Sequence, residues 1–219
     1  MRGVPRDAYQ RSRAPCGRSV EQGPRSFYDR RMALRLTLLA ASRSASVLDA
    51  RFADSRPLDP AGWHEVRRAK PALSYLAAAE LRYCSPSARC RETAVSLGLA
   101  PLAQPALRDC DMGRWNGSTL QQVTAREPRA VNAWMTDPRM TPHGGESLVA
   151  FIQRIGAWID TRPVGDGWVV AVVEPGVLRA ALCYALKAPP HSFWHIDVKP
   201  LAAATLSGRA GEWSLSLQS

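Results

Sequence analysis

Two serines just beyond the carboxyl-terminal end of the first apolar stretch are the first side chains that could do chemistry. Residues 36–41 are almost entirely apolar and lead into Ser42 and Ser44. A run of this kind is typical of a strand buried on both faces of a parallel sheet. The residues just beyond such a strand line the ligand crevice. A serine nucleophile needs a base, however, and no histidine occurs before His64. Turn or capping roles are therefore favoured for both serines.

His143 is the other candidate that the residues themselves suggest. It stands in a loop, just before Gly144, Gly145 and a helix cap at Ser147. A loop histidine can reach into a crevice and bind a ligand, although a surface position is the simpler interpretation. The five cysteines have scattered spacings, which indicate neither a disulfide framework nor a metal cluster. We therefore expect no metal ion and no cofactor.

Segments with strand-like and helix-like apolar patterns alternate along the chain and must position these groups. Strands are predicted at 35–40, 79–83 and 168–173, an extended piece at 105–109, and a terminal hairpin at 202–207 and 213–217. Helices are predicted at 59–70 (ending before Pro71), 85–97 and 118–125, from 128, from 147, and at 176–187. Strands separated by helices predict an α/β protein. We expect a mostly parallel central sheet with helices on both faces, a three-layer α/β/α architecture.

Charge is concentrated at the amino-terminal end. The 219 residues carry a net charge of +10, and residues 1–31 contribute +5 from eight arginines and three acids. This segment lacks an apolar period, which predicts a disordered basic extension, with Met32 as an alternative start, before a single domain at 32–219. Nucleic acid is not an expected partner, because neither interleaved aromatics nor a recognition motif is present. No signal-peptide core or membrane-length apolar run is seen, so a cytoplasmic location without membrane contact is expected.

Several segments, in this order, resemble those of the histidine phosphatase superfamily, also called phosphoglycerate-mutase-like. The resemblance covers roughly residues 35–217 and implies the same fold. The segments are Ala40-Ala41-Ser42, Ser85-Pro86-Ser87-Ala88-Arg89-Cys90-Arg91-Glu92-Thr93-Ala94, residues 107–117, Gly144-Gly145-Glu146-Ser147, and residues 170–179.

The resemblance also implies roles for particular residues. Arg89 matches an arginine that binds phosphate, and Asp109 matches the acid, usually glutamate, that protonates the leaving group. Ala41 matches the histidine that accepts the phosphoryl group, and Glu174 matches a second catalytic histidine. No histidine lies between His143 and His191, so a small alignment shift restores neither position.

Three functions follow from this pattern. The favoured one is a binding protein of the phosphatase fold without phosphohistidine-dependent activity, because alanine cannot form the covalent intermediate. The second is a repurposed enzyme with Glu174 and Asp109 as acid–base groups and Arg89 as anion anchor. The third is a residual phosphomonoesterase. In each case the expected partner is a small anionic or zwitterionic molecule, and a homodimer stays open.

Overall fold

The structure is a computed structural model that describes residues 34–44, 51–52, 56–161 and 167–217. The predicted basic extension at residues 1–31 lies outside the described residues.

A single sheet runs through the described part of the chain. Its strands are β1 (Leu34–Ala40), β2 (Leu81–Cys84), β3 (Leu102–Ala103), β4 (Trp168–Val173), β5 (Ala203–Arg209) and β6 (Glu212–Leu217). The strand order is β3-β2-β4-β1-β5-β6. β1, β2, β3 and β4 pair in parallel, whereas β5 pairs antiparallel with both β1 and β6. The predicted, mostly parallel sheet is therefore confirmed, with the terminal hairpin as an antiparallel edge.

Helices cover both faces of this sheet. They are α1 (Pro60–Leu73), α2 (Ala88–Ser96), α3 (Leu120–Arg126), α4 (Pro128–Thr136), α5 (Leu148–Asp160) and α6 (Pro175–Ala185). Successive side chains of β1 point to opposite faces of the sheet and so pack in two separate cores. Leu36 and Leu38 pack in the core that contains α5 and α6, whereas Leu39 packs in the core that contains α1 and α2. This confirms the three-layer α/β/α prediction. No helix among the described residues is long and apolar enough to cross a membrane.

Several predicted boundaries were wrong. α1 continues through Pro71 and ends at Leu73. The proline falls near the end of the helix and forfeits one backbone hydrogen bond, while Leu73 and the fully buried Leu76 pack the following turn into the core. α2 is capped by Ser87, because the backbone amide of Ser85 still bonds to the sheet at the Val172 carbonyl (2.9 Å).

Three further predictions also needed correction. β2 begins at Leu81, two residues later than expected, since Ala79 still belongs to the turn and its amide donates to the Leu76 carbonyl. α3 is capped by Thr119, whose side chain shares a capping box with Gln122. Residues 105–107 form a short 3-10 turn instead of an extended piece.

The parallel strands bring the predicted site residues to one edge of the sheet. β2, β4 and β1 are neighbours, so their carboxyl ends lie side by side. The amide of Ala41 donates to the Val173 carbonyl (2.8 Å) at the end of β4. Glu174 follows immediately and precedes α6, and Ser85 leads from β2 towards α2. The crevice expected from the strand pattern therefore exists at this edge.

Candidate functional site

Arg89 and Glu174 form a buried ion pair at the centre of this edge. Nη2 of Arg89 contacts Oε2 of Glu174, and their side chains are only 9% and 2% exposed. Nη1 of Arg89 donates to the Ser44 hydroxyl (3.2 Å). Nε of Arg89 makes no hydrogen bond with the described residues. Both terminal nitrogens of the guanidinium are thus engaged by the protein itself.

The pair has electrostatic consequences for the groups around it. Burial works against the charge of Arg89, but the Glu174 carboxylate outweighs it and raises the pKa of the guanidinium. Cys90, the next residue, is fully buried. Burial and the nearby Glu174 carboxylate raise the pKa of this thiol well above its usual value. Cys90 is therefore protonated and is no nucleophile.

Asp109 lies beside the first turn of α6. Its Oδ1 accepts a hydrogen bond from the Cys110 amide (2.9 Å). A β-carbon at Gly176 would lie 2.7 Å from the same oxygen, so the carboxylate needs glycine at this position to approach. Burial raises the pKa of Asp109 from 3.8 to about 6, and the Glu174 carboxylate adds to the rise. Asp109 can therefore gain or lose a proton near neutral pH.

Arg154 on α5 holds the segment that carries Asp109. Its guanidinium donates to three backbone carbonyls of this segment, those of Ala106 (2.6 Å), Arg108 (3.1 Å) and Asp109 (3.3 Å). It also binds both carboxylate oxygens of Glu146, at 2.8 and 2.7 Å. The loop Gly144-Gly145-Glu146-Ser147 before α5, hereafter the glycine loop, and the segment that carries Asp109 are thereby fixed to the same side chain. Sequence reasoning did not find Arg154, because helical residues show their distant partners only in the folded chain.

The predicted residues at the end of β1 have structural contacts. Ala41 is 2% exposed and sits in the core shared with α1 and α2. The Ser42 hydroxyl lies 2.6 Å from Oε2 of Glu65 and 3.1 Å from the Gly62 carbonyl, both on α1. Ser44 is fully buried and accepts the hydrogen bond from Arg89. Ser42 thus contacts a carboxylate and not the imidazole that usually serves as base for a serine nucleophile.

His143 is buried, at 1% exposure, so the surface position favoured by the sequence was wrong. Its Nδ1 accepts a hydrogen bond from the Gly145 amide (3.0 Å), and its ring packs on Trp115 with centroids 5.1 Å apart. Burial lowers the pKa of His143. His143 is therefore neutral and supports the glycine loop through this hydrogen bond. It does not line the cavity at this edge of the sheet.

A cavity of about 220 Å³ opens at this edge of the sheet. Arg89 and Asp109, both predicted, line it. The other lining residues are Arg51, Phe52, Cys110, Met112, Trp134, Leu148, Phe151, Pro175, Gly176, Arg179, Phe193 and Trp194. No histidine is among these described lining residues. Within the described ranges, no group of three His, Cys, Asp or Glu side chains has the arrangement to hold a metal ion.

The aromatic and arginine lining was missed from the sequence. His191 and His195, which flank Phe193 and Trp194 in the chain, are both exposed. Phe193 and Trp194 instead face the cavity. The adjacent positions of Phe193 and Trp194 in the sequence were a signal of an aromatic surface. Only the fold shows that α4 brings Trp134 to the same cavity.

A family model independently matches most of this chain. The match covers residues 51–219 and describes the histidine phosphatase superfamily, branch 1. The chain belongs to the histidine phosphatase superfamily. The matched range includes Arg89, Asp109 and Glu174, but begins after Ala41.

Two known mycobacterial proteins are similar to this chain. A bifunctional protein of Mycobacterium tuberculosis is 30% identical over 67% of this chain and 43% of its own length. This chain thus spans less than half of that relative. The glucosyl-3-phosphoglycerate phosphatase of Mycolicibacterium vanbaalenii is 32% identical over 59% of this chain and 71% of its own length.

A solved structure gives the same result for the fold. The mycobacterial glucosyl-3-phosphoglycerate phosphatase in complex with inorganic phosphate superimposes with a TM-score of 0.68 at 26% identity. The superposition covers 84% of this chain and 95% of that chain. The phosphoglycerate-mutase-like fold expected from the sequence is therefore confirmed, and named phosphatases share it.

Proposed function

We propose that this member of the superfamily binds a small molecule in its cavity and does not hydrolyse phosphomonoesters through a phosphohistidine. In this proposal Ala41 and Glu174 occupy the places of the two catalytic histidines. The single observation that carries it is the buried ion pair between Arg89 and Glu174. The arginine that would receive a phosphate already holds a carboxylate of the same chain.

Electrostatics support the loss of phosphate binding. Two unit charges about 4 Å apart, at an effective dielectric constant of about 20, interact by roughly 4 kcal/mol. A phosphate placed at Arg89 would meet the Glu174 carboxylate at a similar distance and would lose much of what the guanidinium contributes. Asp109, when ionised, adds further repulsion. The covalent step also lacks its imidazole, because alanine has no nucleophilic atom.

One observation favours a second candidate, an enzyme that uses the same cavity for acid–base chemistry. Asp109 lines the cavity and burial raises its pKa to about 6. A carboxyl group with a pKa close to the working pH is suited to general acid–base catalysis. Asp109 would then transfer the proton, with Glu174 as the second carboxylate and Arg89 as the anion anchor. The residual phosphomonoesterase is the outcome that would contradict both candidates.

The test is hydrolysis of p-nitrophenyl phosphate by the full chain and by Arg89→Ala. We expect equal release of p-nitrophenol, at the level of the buffer blank. Arg209→Ala is the matched control, since Arg209 pairs with Glu212 on the exposed hairpin and is not among the residues that line the cavity. Turnover by the full chain that falls at least tenfold in Arg89→Ala alone would establish a residual phosphatase and defeat the proposal.

A cytoplasmic location, a single domain over residues 32–219 and a homodimer belong to this proposal as predictions. The ligand we expect is a small anionic or zwitterionic molecule, in keeping with the arginines that line the cavity. Its chemical class can be narrowed further from the shape and charge of that lining.

A further inference from the structure

Five aromatic rings form one continuous wall of the cavity. In order along the wall they are Phe52, Trp134, Trp194, Phe193 and Phe151, and all five line the cavity. Neighbouring ring centroids are between 4.7 and 6.2 Å apart, and the interplanar angles lie between 70° and 87°. Edge-to-face contacts of this kind are favourable and fix each ring against the next. The wall is therefore a preformed apolar surface, hereafter the aromatic wall.

Arg179 on α6 lies against the aromatic wall. Its guanidinium carbon is 5.8 Å from the centroid of the Phe193 ring, and its Nε donates to the Ile196 carbonyl (2.8 Å). These two contacts hold the side chain in place at the cavity lining. Arg89, in contrast, is held by Glu174 and Ser44.

Arg51, which also lines the cavity, donates to the Gly117 carbonyl (3.0 Å) and immediately precedes Phe52 at the end of the wall, whereas Arg179 lies against a ring within the wall. We therefore place Arg179 at the charged group of a ligand that rests on the aromatic wall.

The charge around the cavity favours one negative charge over two. The Arg89 and Glu174 charges offset each other, so the remaining charged groups of the lining are Arg51, Arg179 and Asp109, the last of which becomes negative above a pH of about 6. Two positive charges and one negative charge leave a net charge of +1, which a monoanion neutralises and a phosphate dianion exceeds. A carboxylate carries one charge and, like a phosphate, can accept two parallel hydrogen bonds from a guanidinium. Charge is therefore the property that favours the carboxylate here.

We infer that the cavity takes a small, singly charged anion with a planar aromatic body. The ring rests on the aromatic wall and the carboxylate is held by Arg179. This inference rests on the proposed function, because a working phosphatase would instead hold a phosphate at Arg89. The cavity volume of about 220 Å³ is sufficient, since an apolar cavity of about 150 Å³ already accommodates benzene.

Isothermal titration calorimetry of the full chain with 2-naphthoate tests the ligand class. The comparison compounds are 2-naphthalenemethanol, which keeps the rings without the charge, hexanoate, which keeps the charge without the rings, and inorganic phosphate. We expect 2-naphthoate to bind at least tenfold more tightly than each of the three. Equal or tighter binding of any comparison compound, or no heat from 2-naphthoate at millimolar concentration, would overturn the inference.

Two variants test the assigned contacts. Arg179→Gln and Trp194→Leu should each raise the Kd of 2-naphthoate at least tenfold, and Arg179→Gln should abolish the preference over 2-naphthalenemethanol. The matched controls are Arg209→Gln and Trp63→Leu, since neither Arg209 nor Trp63 lines the cavity. Both controls should keep the wild-type Kd.

Thermal unfolding of each variant shows whether it folds. If Arg179→Gln does not fold, Arg179→Lys serves as the second variant. It keeps the positive charge but lacks the paired N–H donors of the guanidinium, and it should raise the Kd of 2-naphthoate at least threefold. A wild-type Kd in either folded Arg179 variant would overturn the inference, as would a loss confined to Arg89→Gln. Arg89-dependent phosphatase turnover, measured separately, would defeat the proposed function whether or not 2-naphthoate binds.

Discussion

Arg89, on the first turn of α2, and Glu174, the residue before α6, meet as an ion pair that is almost completely withdrawn from solvent. Each residue comes from the carboxyl end of a different strand, so the contact ties β2 to β4 at the edge where the cavity opens. Two residues assigned to the site from separate segments of the sequence thus converge in the folded chain.

Removal of one partner of this pair should be costly. Glu174→Met and Arg89→Met each leave the charge of the other residue buried without its partner, which typically destabilises a protein by about 3–5 kcal/mol. The double variant, Arg89→Met with Glu174→Met, should lose less than the sum of the single losses. Urea unfolding of the four proteins measures this coupling. Glu212→Gln, at the exposed Arg209–Glu212 pair, is the control and should change stability by less than about 1 kcal/mol. Additive losses would show that the two charges do not interact.

Restoration of both histidines should bring phosphatase chemistry back. We expect the double variant Ala41→His with Glu174→His to hydrolyse p-nitrophenyl phosphate at least tenfold faster than the unchanged chain. The reason is that it regains a nucleophile and frees Arg89 from its internal carboxylate. Ala41→His alone should gain much less, because Glu174 still occupies Arg89. An inactive double variant that unfolds as cooperatively as the unchanged chain would argue against the assignment of these two positions.

Asp109→Asn should change how stability depends on pH. The pKa of Asp109 is raised from 3.8 to about 6, so between these values the folded chain keeps a proton that the unfolded chain has released. The free energy of unfolding contributed by Asp109 is therefore highest at low pH and falls as pH rises to about 6.

The variant lacks this loss. Between pH 4 and pH 7, the free energy of unfolding of Asp109→Asn should rise by about 1–2 kcal/mol relative to that of the unchanged chain. This figure is smaller than the full pKa shift would give, because the Asp109 side chain is only half-buried. Urea unfolding at both pH values measures the difference, with Asp197→Asn, at an exposed aspartate, as control. A difference that stays constant with pH would show that Asp109 ionises normally.

Residues 1–31 should be dispensable for folding, because they lack an apolar pattern. We expect a chain that starts at Met32 to unfold within about 1 °C of the full chain, as measured by circular dichroism. A shorter deletion that starts at Gly23 provides an intermediate comparison. A fall in Tm of several degrees for the Met32 chain would mean that the extension packs on the domain.

The main features of the fold could be predicted because each depends on a local pattern. The apolar runs of β1 and β4 and the Ser147 cap of α5 are all visible in the sequence, and the structure has them. The errors lie at boundaries where tertiary packing outweighs local preference. Pro71 inside α1 is an example, because the packing of Leu73 and Leu76 holds the chain beyond the proline.

The site was predictable only in part. Arg89 and Glu174 follow strands of the parallel sheet, so their convergence follows from strand order. His143 could not be placed, because its burial depends on the Trp115 ring and the glycine loop folding over it. The aromatic wall joins rings from segments that are distant in the chain, such as Trp134 and Trp194, and no periodicity in the sequence connects them.

The central place of β1 has a consequence for synthesis of the chain. β1 is among the first described segments to leave the ribosome, but its neighbours come much later: Arg35 pairs with Trp168, and Leu34 pairs with Gly208. Until those strands emerge, a nascent chain exposes an apolar strand with both edges open, a state prone to aggregation. A truncated chain that ends before β5 would leave β1 without one of its two neighbouring strands. Chaperones would therefore have to protect this apolar strand until most of the chain has been synthesised.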